Sequence, residues 1–279
     1  MSESALYVVA TPIGNLDDMT PRAIRTLESV ALIAAEDTRH SGRLLSHFNI
    51  KTQMIAVHDH NERQQQQKII SCLEKGDSVA LISDAGTPLI SDPGFVLVRE
   101  VRAAGYKVVP VPGCCAMVAA LCAAGIPSDR FAFEGFPPAK SQQRMNFYSA
   151  LASETRTLMF YESPHRIEDS LKAVVEVFGA DRPIVVAREL TKTFETYLSG
   201  TSAEVLQQVQ ADANQRKGEF VLMVQGAPEK DDTELDVKAS EVLDILLEEL
   251  SVKQASALAA KITGIKKKVL YQAALDRKA

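Results

Sequence analysis

Several catalytic signatures are missing from this chain. Its first apolar run is followed by Thr11-Pro12-Ile13-Gly14-Asn15-Leu16 and not by G-x-G-x-x-G, which disfavours a dinucleotide-binding Rossmann enzyme. No G-x-x-x-x-G-K-[ST] occurs, which disfavours an NTPase, and no G-x-S-x-G elbow presents a nucleophilic serine. No apolar run reaches about 18 residues. The N-terminus carries no basic stretch ahead of an apolar one. The chain is therefore expected to be cytoplasmic, with no membrane partner. Its four cysteines, Cys72, Cys114, Cys115 and Cys122, show no metal-ligand spacing. Adjacent cysteines rarely pair, and reduced thiols fit the same compartment. His58 and His60 alternate at a predicted strand end and face opposite ways, so they are poor partners for one ion, and no metal is expected. A formal net charge of −5 provides no overall basic field, and no DNA partner is expected.

What is present is a globular composition, 46% apolar and 24% charged over 279 residues, enough for a substantial core. Short apolar runs at 6–10, 31–35, 53–57, 79–82 and 106–113 read as strands. Helical stretches at 21–30, 42–48, 64–75, 93–104 and 114–124 follow them in turn, with Thr20 as N-cap and Pro21 at N1 of the first. Such alternation predicts a mainly parallel sheet. Polar residues gather at the strand carboxyl ends, in TPIGN, EDTRH, HDHNE and SDAGTP, where open α/β sheets bind ligands.

The densest of these loops lies in residues 79–94, VALISDAGTPLISDPG. Gly86 allows close backbone approach, Pro88 and Pro93 stiffen the loop, and Asp84 and Thr87 offer side-chain oxygens. Two readings are open. The loop binds a ligand, or it only connects strand to helix, with the Asp92-Pro93 pair starting that helix. Its length and doubled Asp, Pro and Gly content favour the ligand loop.

Ile126-Pro127-Ser128-Asp129 marks a boundary between a first domain, 1–125, and a second, 126–227. The second is predicted as a mixed sheet with some antiparallel pairing, because several of its strands are joined by short connections. A polar linker at 227–234 leads to a helical tail, 235–279. Residues 228–250 hold nine acids against two lysines, and residues 251–279 hold seven Lys/Arg against one Asp. Helix, Gly264 turn, helix fits a helix-turn-helix. A solvated helical hairpin is the alternative.

Taken in order, TPIGNL, AAEDTRHSGRLL, HDHNE, SDAGTPLISDPG, VPVPGCCA, YESPHR, ARELTKTFE and RKGEFVLMVQG resemble the ribosomal RNA small-subunit methyltransferase I family, from residue 6 to about 274. That family is of the tetrapyrrole-methylase-like class III. The resemblance implies two α/β domains of the tetrapyrrole methylase type with a cofactor cleft between them, and a helix-turn-helix-like tail. It implies S-adenosylmethionine as cofactor and small-subunit ribosomal RNA in the assembled subunit as partner. The reaction implied is 2′-O-methylation of a cytidine ribose, cytidine 1402 by family assignment, in a homodimer. The missing dinucleotide fingerprint also disfavours an ordinary class I methyltransferase.

Carried onto this sequence, the resemblance implies cofactor contacts from Pro12, Gly14, Asp84, Gly86, Thr87, Pro88, Leu89, Ile90, Cys115 and Ala116. From the second half it adds Phe160, Tyr161, Ala187 and Gly218. Asp37, Arg39, Arg188 and Glu189 are the catalytic candidates, with Asp37 the first to test as proton acceptor. His58, Asp84 and Glu162 are the further strand-end candidates for a general base. Lys140, Arg144, Lys192, Lys266, Lys267 and Lys268 are candidate RNA contacts. No RNP-type aromatic pattern occurs, so RNA recognition is expected to depend on the shape of the particle. Two other readings remain: a small-molecule methylase of the same fold acting on a tetrapyrrole, and a non-enzymatic nucleic-acid-binding regulator.

Overall fold

The computed structural model describes residues 4–57, 62–228 and 237–278. The expectation for His58 and His60 lies outside them, as does most of the linker. The chain forms two compact units, Met1–Ala227 and Pro228–Ala279.

The first unit opens with strands β1 (Ala5–Val9), β2 (Leu32–Ala35), β3 (Met54–Ala56), β4 (Val79–Ile82) and β5 (Lys107–Val111). Between and after them run helices α1 (Pro21–Ser29), α2 (Thr38–His47), α3 (Glu62–Glu74), α4 (Phe95–Ala103) and α5 (Ala116–Ala124). All pairings in this sheet are parallel, in the order β3-β2-β4-β1-β5. Residues alternate between its two faces. Ile33, Ala35, Ala80 and Ile82 pack with Ala23, Leu27 and Leu45 of α1 and α2. Leu32, Ala34, Val79 and Leu81 pack with Ile69, Leu73, Leu97 and Val101 of α3 and α4. The near-continuous apolar strands follow from this, since a parallel sheet is buried on both sides.

The α1 start is as expected: Thr20 accepts from the Ala23 amide at 3.1 Å, with Pro21 next. The α4 start is not. That helix begins at Phe95 with Gly94 as N-cap at φ +121 and no side-chain cap. Asp92-Pro93 therefore lies outside the helix, and the plain strand-to-helix reading of that pair is corrected. Positive φ at Leu89, Ser91 and Gly94 turns the chain repeatedly and delays the helix until Phe95.

The second sheet contains β6 (Phe131–Phe133), β7 (Thr157–Glu162), β8 (Pro183–Arg188), β9 (Thr196–Thr201) and β10 (Phe220–Val224). Its order is β6-β7-β10-β8-β9, with β6 and β7 parallel and the other pairs antiparallel. Helices α6 (Ser141–Leu151), α7 (Ile167–Phe178) and α8 (Ser202–Ala211) cover one face. The opposite face carries Met159, Val185, Ala187, Val221 and Met223. It is closed by α5 through Ala120 and Leu121 and by Ile13 from the loop after β1. Burying one such large side chain contributes about 1.5–3 kcal/mol, so this packing holds the two sheets together as one unit.

One sequence-based placement fails here. Arg144 is 4% exposed, because α6 buries positions 144 and 148 one turn apart. Its guanidinium donates to the Ala139 carbonyl at 3.2 Å and lies 3.9 Å from Asp169. A side chain spent on the core of the fold is not available to RNA.

The second unit consists of α9 (Val237–Glu249), α10 (Val252–Thr263) and α11 (Lys267–Lys278) around Leu243, Ala255, Ala259, Leu270 and Ala274. Ser251 caps α10, and Gly264, in the left-handed region at φ +78, ends it. Arg277 bonds Asp244 at 2.5 Å and also Ser240, tying α11 to α9. Lys266, Lys267 and Lys268 are exposed at the start of α11.

Arg144→Ala is expected to lower the unfolding free energy by about 1–3 kcal/mol, because it removes the donor held by the 138–139 carbonyls. Urea denaturation of the parent and variant chains checks this.

Candidate active site

Three loops at the carboxyl edge of the first sheet are fastened to one another. Thr11 and Gly86 exchange backbone hydrogen bonds, from Thr11 N–H to Gly86 O at 2.8 Å and from Gly86 N–H to Thr11 O at 3.1 Å. The Thr87 hydroxyl donates to the Cys114 carbonyl at 2.8 Å. Gly86 sits at φ +80, and a Cβ there would lie 3.3 Å from Ile13 Cγ2. The loop after β4 is thus held close against the loop after β1, where an added side chain would press on Ile13.

Across from these loops stand the carboxyl end of β7 and the loop before α6. Tyr161 accepts a hydrogen bond from the Met117 amide at 3.2 Å, in the first turn of α5. Its ring meets Phe133 and Phe136 edge-on, with centroids 4.7 and 5.6 Å away. Burial pushes the Tyr161 hydroxyl up to about 12, so it stays protonated. Between the two sides lies a cavity of 330 Å³, within the range of small-molecule sites. The residues expected from the sequence that line it are Gly86, Thr87, Ile90, Cys115, Ala116 and Tyr161.

The other expected cofactor residues lie elsewhere. Phe160 is fully buried against Tyr148, with centroids 5.3 Å apart. The period of two along β7 turns Phe160 to the helix-covered face and Tyr161 to the cavity. Ala187 is buried under α5. Asp84 accepts from the Asp37 amide at 3.1 Å, joining the β4 loop to the end of β2. Leu89 packs into the first-sheet core. Pro12 and Pro88 are not among the lining residues. A Cβ at Gly14 would meet the Lys192 stem at 2.5 Å, and one at Gly218 would run into the Glu189 carboxyl. Both glycines make room for those side chains.

The four catalytic candidates form two separate groups. Asp37 is the N-cap of α2, and its carboxylate holds Arg39 through two bonds, at 3.2 and 2.9 Å. The Arg39 guanidinium brings the Asp37 carboxyl down to about 2. A group so weakly basic does not suit the proton-acceptor role expected for Asp37. Arg188 is 7% exposed and donates to the carbonyls of Lys217 at 2.7 Å and Phe194 at 3.0 Å. It fastens the surrounding loops and is not free for substrate. Burial pushes Glu189 up, but the Lys192 ammonium at 2.8 Å and the Glu219 amide at 3.0 Å outweigh it and leave the carboxyl below its ordinary value. Lys192 also bonds Glu219 at 2.8 Å, so its charge is matched by two carboxylates and not held out for phosphate. Lys140 is exposed.

Several lining residues were missed in the sequence: Ile13, Ser91, Asp92, Phe136 and Leu190 among them. Glu162, a strand-end candidate for a general base, also lines the cavity. It accepts the Ser163 amide at 2.8 Å, Arg166 at 3.1 Å and the Ser170 hydroxyl. Asp92 had a legible signal, since an Asp-Pro-Gly run that does not cap a helix has another use for its carboxylate. Burial, and then the nearby Glu36 and Asp84 charges, push Asp92 up to about 6 against the pull of the Ser83 hydroxyl.

Residues 5–206 match the family of tetrapyrrole (corrin/porphyrin) methylases, and residues 233–278 match the RsmI C-terminal HTH domain. The chain is 58% identical over 279 residues to ribosomal RNA small subunit methyltransferase I of Pseudomonas aeruginosa, covering 99% of both chains. It is 52% identical to the protein of that name from Escherichia coli O157:H7, over 99% of this chain and 96% of the other. Among solved structures it is similar in fold to uroporphyrin-III-C-methyltransferase from Thermus thermophilus. The TM-score is 0.56 and the identity 20%, over 80% of this chain and 94% of the other. It is also similar to cobalt precorrin-4 methyltransferase, with a TM-score of 0.59 and 16% identity over 80% and 95%. Two α/β sheets with a cavity between them, a helical tail and relatives more than half identical end to end agree: the chain belongs to the tetrapyrrole methylase family and, within it, to the ribosomal RNA small subunit methyltransferase I family.

Proposed function

We propose that this protein transfers the methyl group of S-adenosylmethionine to the 2′-hydroxyl of a cytidine ribose in small-subunit ribosomal RNA. The observation that carries the reading is the cavity between the two sheets, in a chain whose relatives are named for that RNA. The cavity fits the cofactor. Gly86 presents backbone where a side chain would fill the space, Ile13, Ile90, Ala116 and Leu190 offer apolar contact, and α5 starts at the wall, where the Met117 amide goes to Tyr161 and the Cys115 side chain caps none of the first-turn amides. Those amides suit a carboxylate. When bound, the cofactor supplies an already activated methyl on its sulfonium.

The remaining work falls to the chain. Gly86, Thr87, Ile90, Cys115 and Ala116 hold one side of the cofactor, and Tyr161 and Phe136 close the other. Orientation and exclusion of water supply much of the acceleration in such a displacement. Tyr161 holds the α5 amide in register from across the cleft. In this reading residues 1–125 and 126–227 bind cofactor and ribose, and 235–279 bind RNA. Lys266, Lys267 and Lys268 stand at the positive end of α11, where the helix dipole disfavours cations. Phosphate binding explains such a placement, and Lys140 adds an exposed charge in the first unit. The same reading carries a cytoplasmic location and a symmetric homodimer.

The test incubates the enzyme and labelled cofactor with small subunits from a strain lacking it, then places the methyl by nuclease digestion and mass spectrometry. Label on a cytidine ribose is expected. Label on a base refutes ribose chemistry, and transfer only to a tetrapyrrole moves the protein to the small-molecule class. Gly86→Val, strained at φ +80, should melt below the parent but still fold, and bind S-adenosylmethionine at least about tenfold more weakly, a loss of ~1.4 kcal/mol or more read by calorimetry below its melting temperature. Charge reversal of Lys266, Lys267 and Lys268 should reduce the slope of log affinity for the small subunit against log salt, leaving cofactor affinity as it was.

A further inference from the structure

Asp92 has the placement of a group that works on a substrate. It lies outside α4, lines the cavity, and is held there by a loop with two non-glycine residues in the left-handed region, Leu89 at φ +74 and Ser91 at φ +65. Backbone of that kind costs about 1–3 kcal/mol per residue and persists where function requires it. The neighbouring strands β2 and β4 send their connections in opposite directions, to β3 on one side and β5 on the other. Asp92 follows β4, one strand of that switch point, and the cavity it lines is walled by the loops after β1, β4 and β5, at the carboxyl edge where open sheets bind ligands. Glu36 and Asp37 follow β2 there, and Asp84 follows β4.

The carboxylates near the cavity differ in what they are free to do. Asp37 holds Arg39, Glu189 and Glu219 hold Lys192, and Glu162 holds Arg166 and Ser170. Among the described residues, the charged groups acting on Asp92 are Glu36 and Asp84, both of its own sign, with the Tyr161 phenol and the Ser83 hydroxyl beside them. Half-burial and those two charges make its carboxylate the more basic one, at about 6. It is still ionised at neutral pH and ready to take a proton.

We propose that Asp92 is the proton acceptor for the attacking ribose hydroxyl, an assignment that rests on the ribose-methylation reading above. The ribose oxygen forms its bond to the methyl carbon while the carbon–sulfur bond breaks and its electron pair stays on sulfur. The hydroxyl proton passes to the Asp92 carboxylate, which becomes neutral and later releases it to water. Charge balances, because one positive sulfonium and one carboxylate become a neutral thioether and a neutral acid.

The experiment measures single-turnover methyl transfer to small subunits by parent and Asp92→Asn enzymes across pH, with S-adenosylmethionine affinity by calorimetry. Expected is a loss of about 10²-fold or more in rate with cofactor affinity unchanged. The parent rate should fall as pH drops through about 6, and that limb should vanish in the variant. The fold offers its own control. A carboxyl raised from 3.8 to about 6 on folding withdraws stability as pH rises between those values. Asp92→Asn should therefore melt no lower than the parent at neutral pH. A near-parental rate, a loss explained wholly by cofactor affinity, or the same acidic limb in both proteins overturns the proposal. If Asn unfolds the chain, the parent profile decides, and a rate flat through pH 6 overturns it. Parent label found off the ribose removes the underlying reading, whereas parent label on ribose with an unimpaired variant removes Asp92 alone.

Discussion

The second sheet is apolar on both faces, but its own three helices all lie on one of them. Its other face has to be buried by something else. That role falls to α5, an almost uniformly apolar helix that leaves the first sheet and lies across β7, β8 and β10, with Ile13 beside it. Everything at the site depends on this packing. It brings the carboxyl edge of the first sheet to the carboxyl end of β7. It sets the start of α5 into the cavity wall, and it positions Tyr161 to accept from the Met117 amide. The cleft is the space left where two sheets share one helix.

Polar groups around that cleft are sorted by whether they have partners. Arg188, Glu189, Lys192 and Glu219 bind one another's side chains or nearby carbonyls. With Gly14 and Gly218 they fit the loop after β8 against the loop after β1. Such a cluster fixes geometry, because a buried charge left unpaired is costly. Asp37 and Arg39 neutralise each other at the start of α2. Asp92 departs from the pattern by facing like charges across a half-buried wall, and perturbed groups of that kind concentrate where chemistry happens.

The family and the architecture were legible in the sequence for reasons that are local. Strands buried on both faces read as continuous apolar runs, so VALI at 79–82 in the parallel sheet and FVLMV at 220–224 in the mixed one announced themselves. Thr20-Pro21 and Gly264 state helix ends through side-chain and backbone chemistry that needs no tertiary partner. Glycine-rich loops after strands identify the ligand edge of an α/β sheet whatever its neighbours.

Which side chains face the cavity was decided elsewhere. A one-residue difference along β7 separates Tyr161, on the cleft, from Phe160, in the core, and that choice depends on which face α5 covers. Arg144 reads as a surface cation until α6 turns it inward beside Tyr148. Arg188 reads as a substrate contact until the Lys217 and Phe194 carbonyls claim it. Asp92 reads as a helix start until Gly94 takes the cap and leaves its carboxylate facing Glu36 and Asp84. The sequence by itself determined the elements, their order and the loops that carry polar groups, because these follow from periodicity and turn chemistry within a few residues. Only the tertiary structure decided which charges were already paired, because partners such as Lys192 and Glu219, or the Arg188 guanidinium and the Lys217 carbonyl, come from segments that meet only when the sheet has formed.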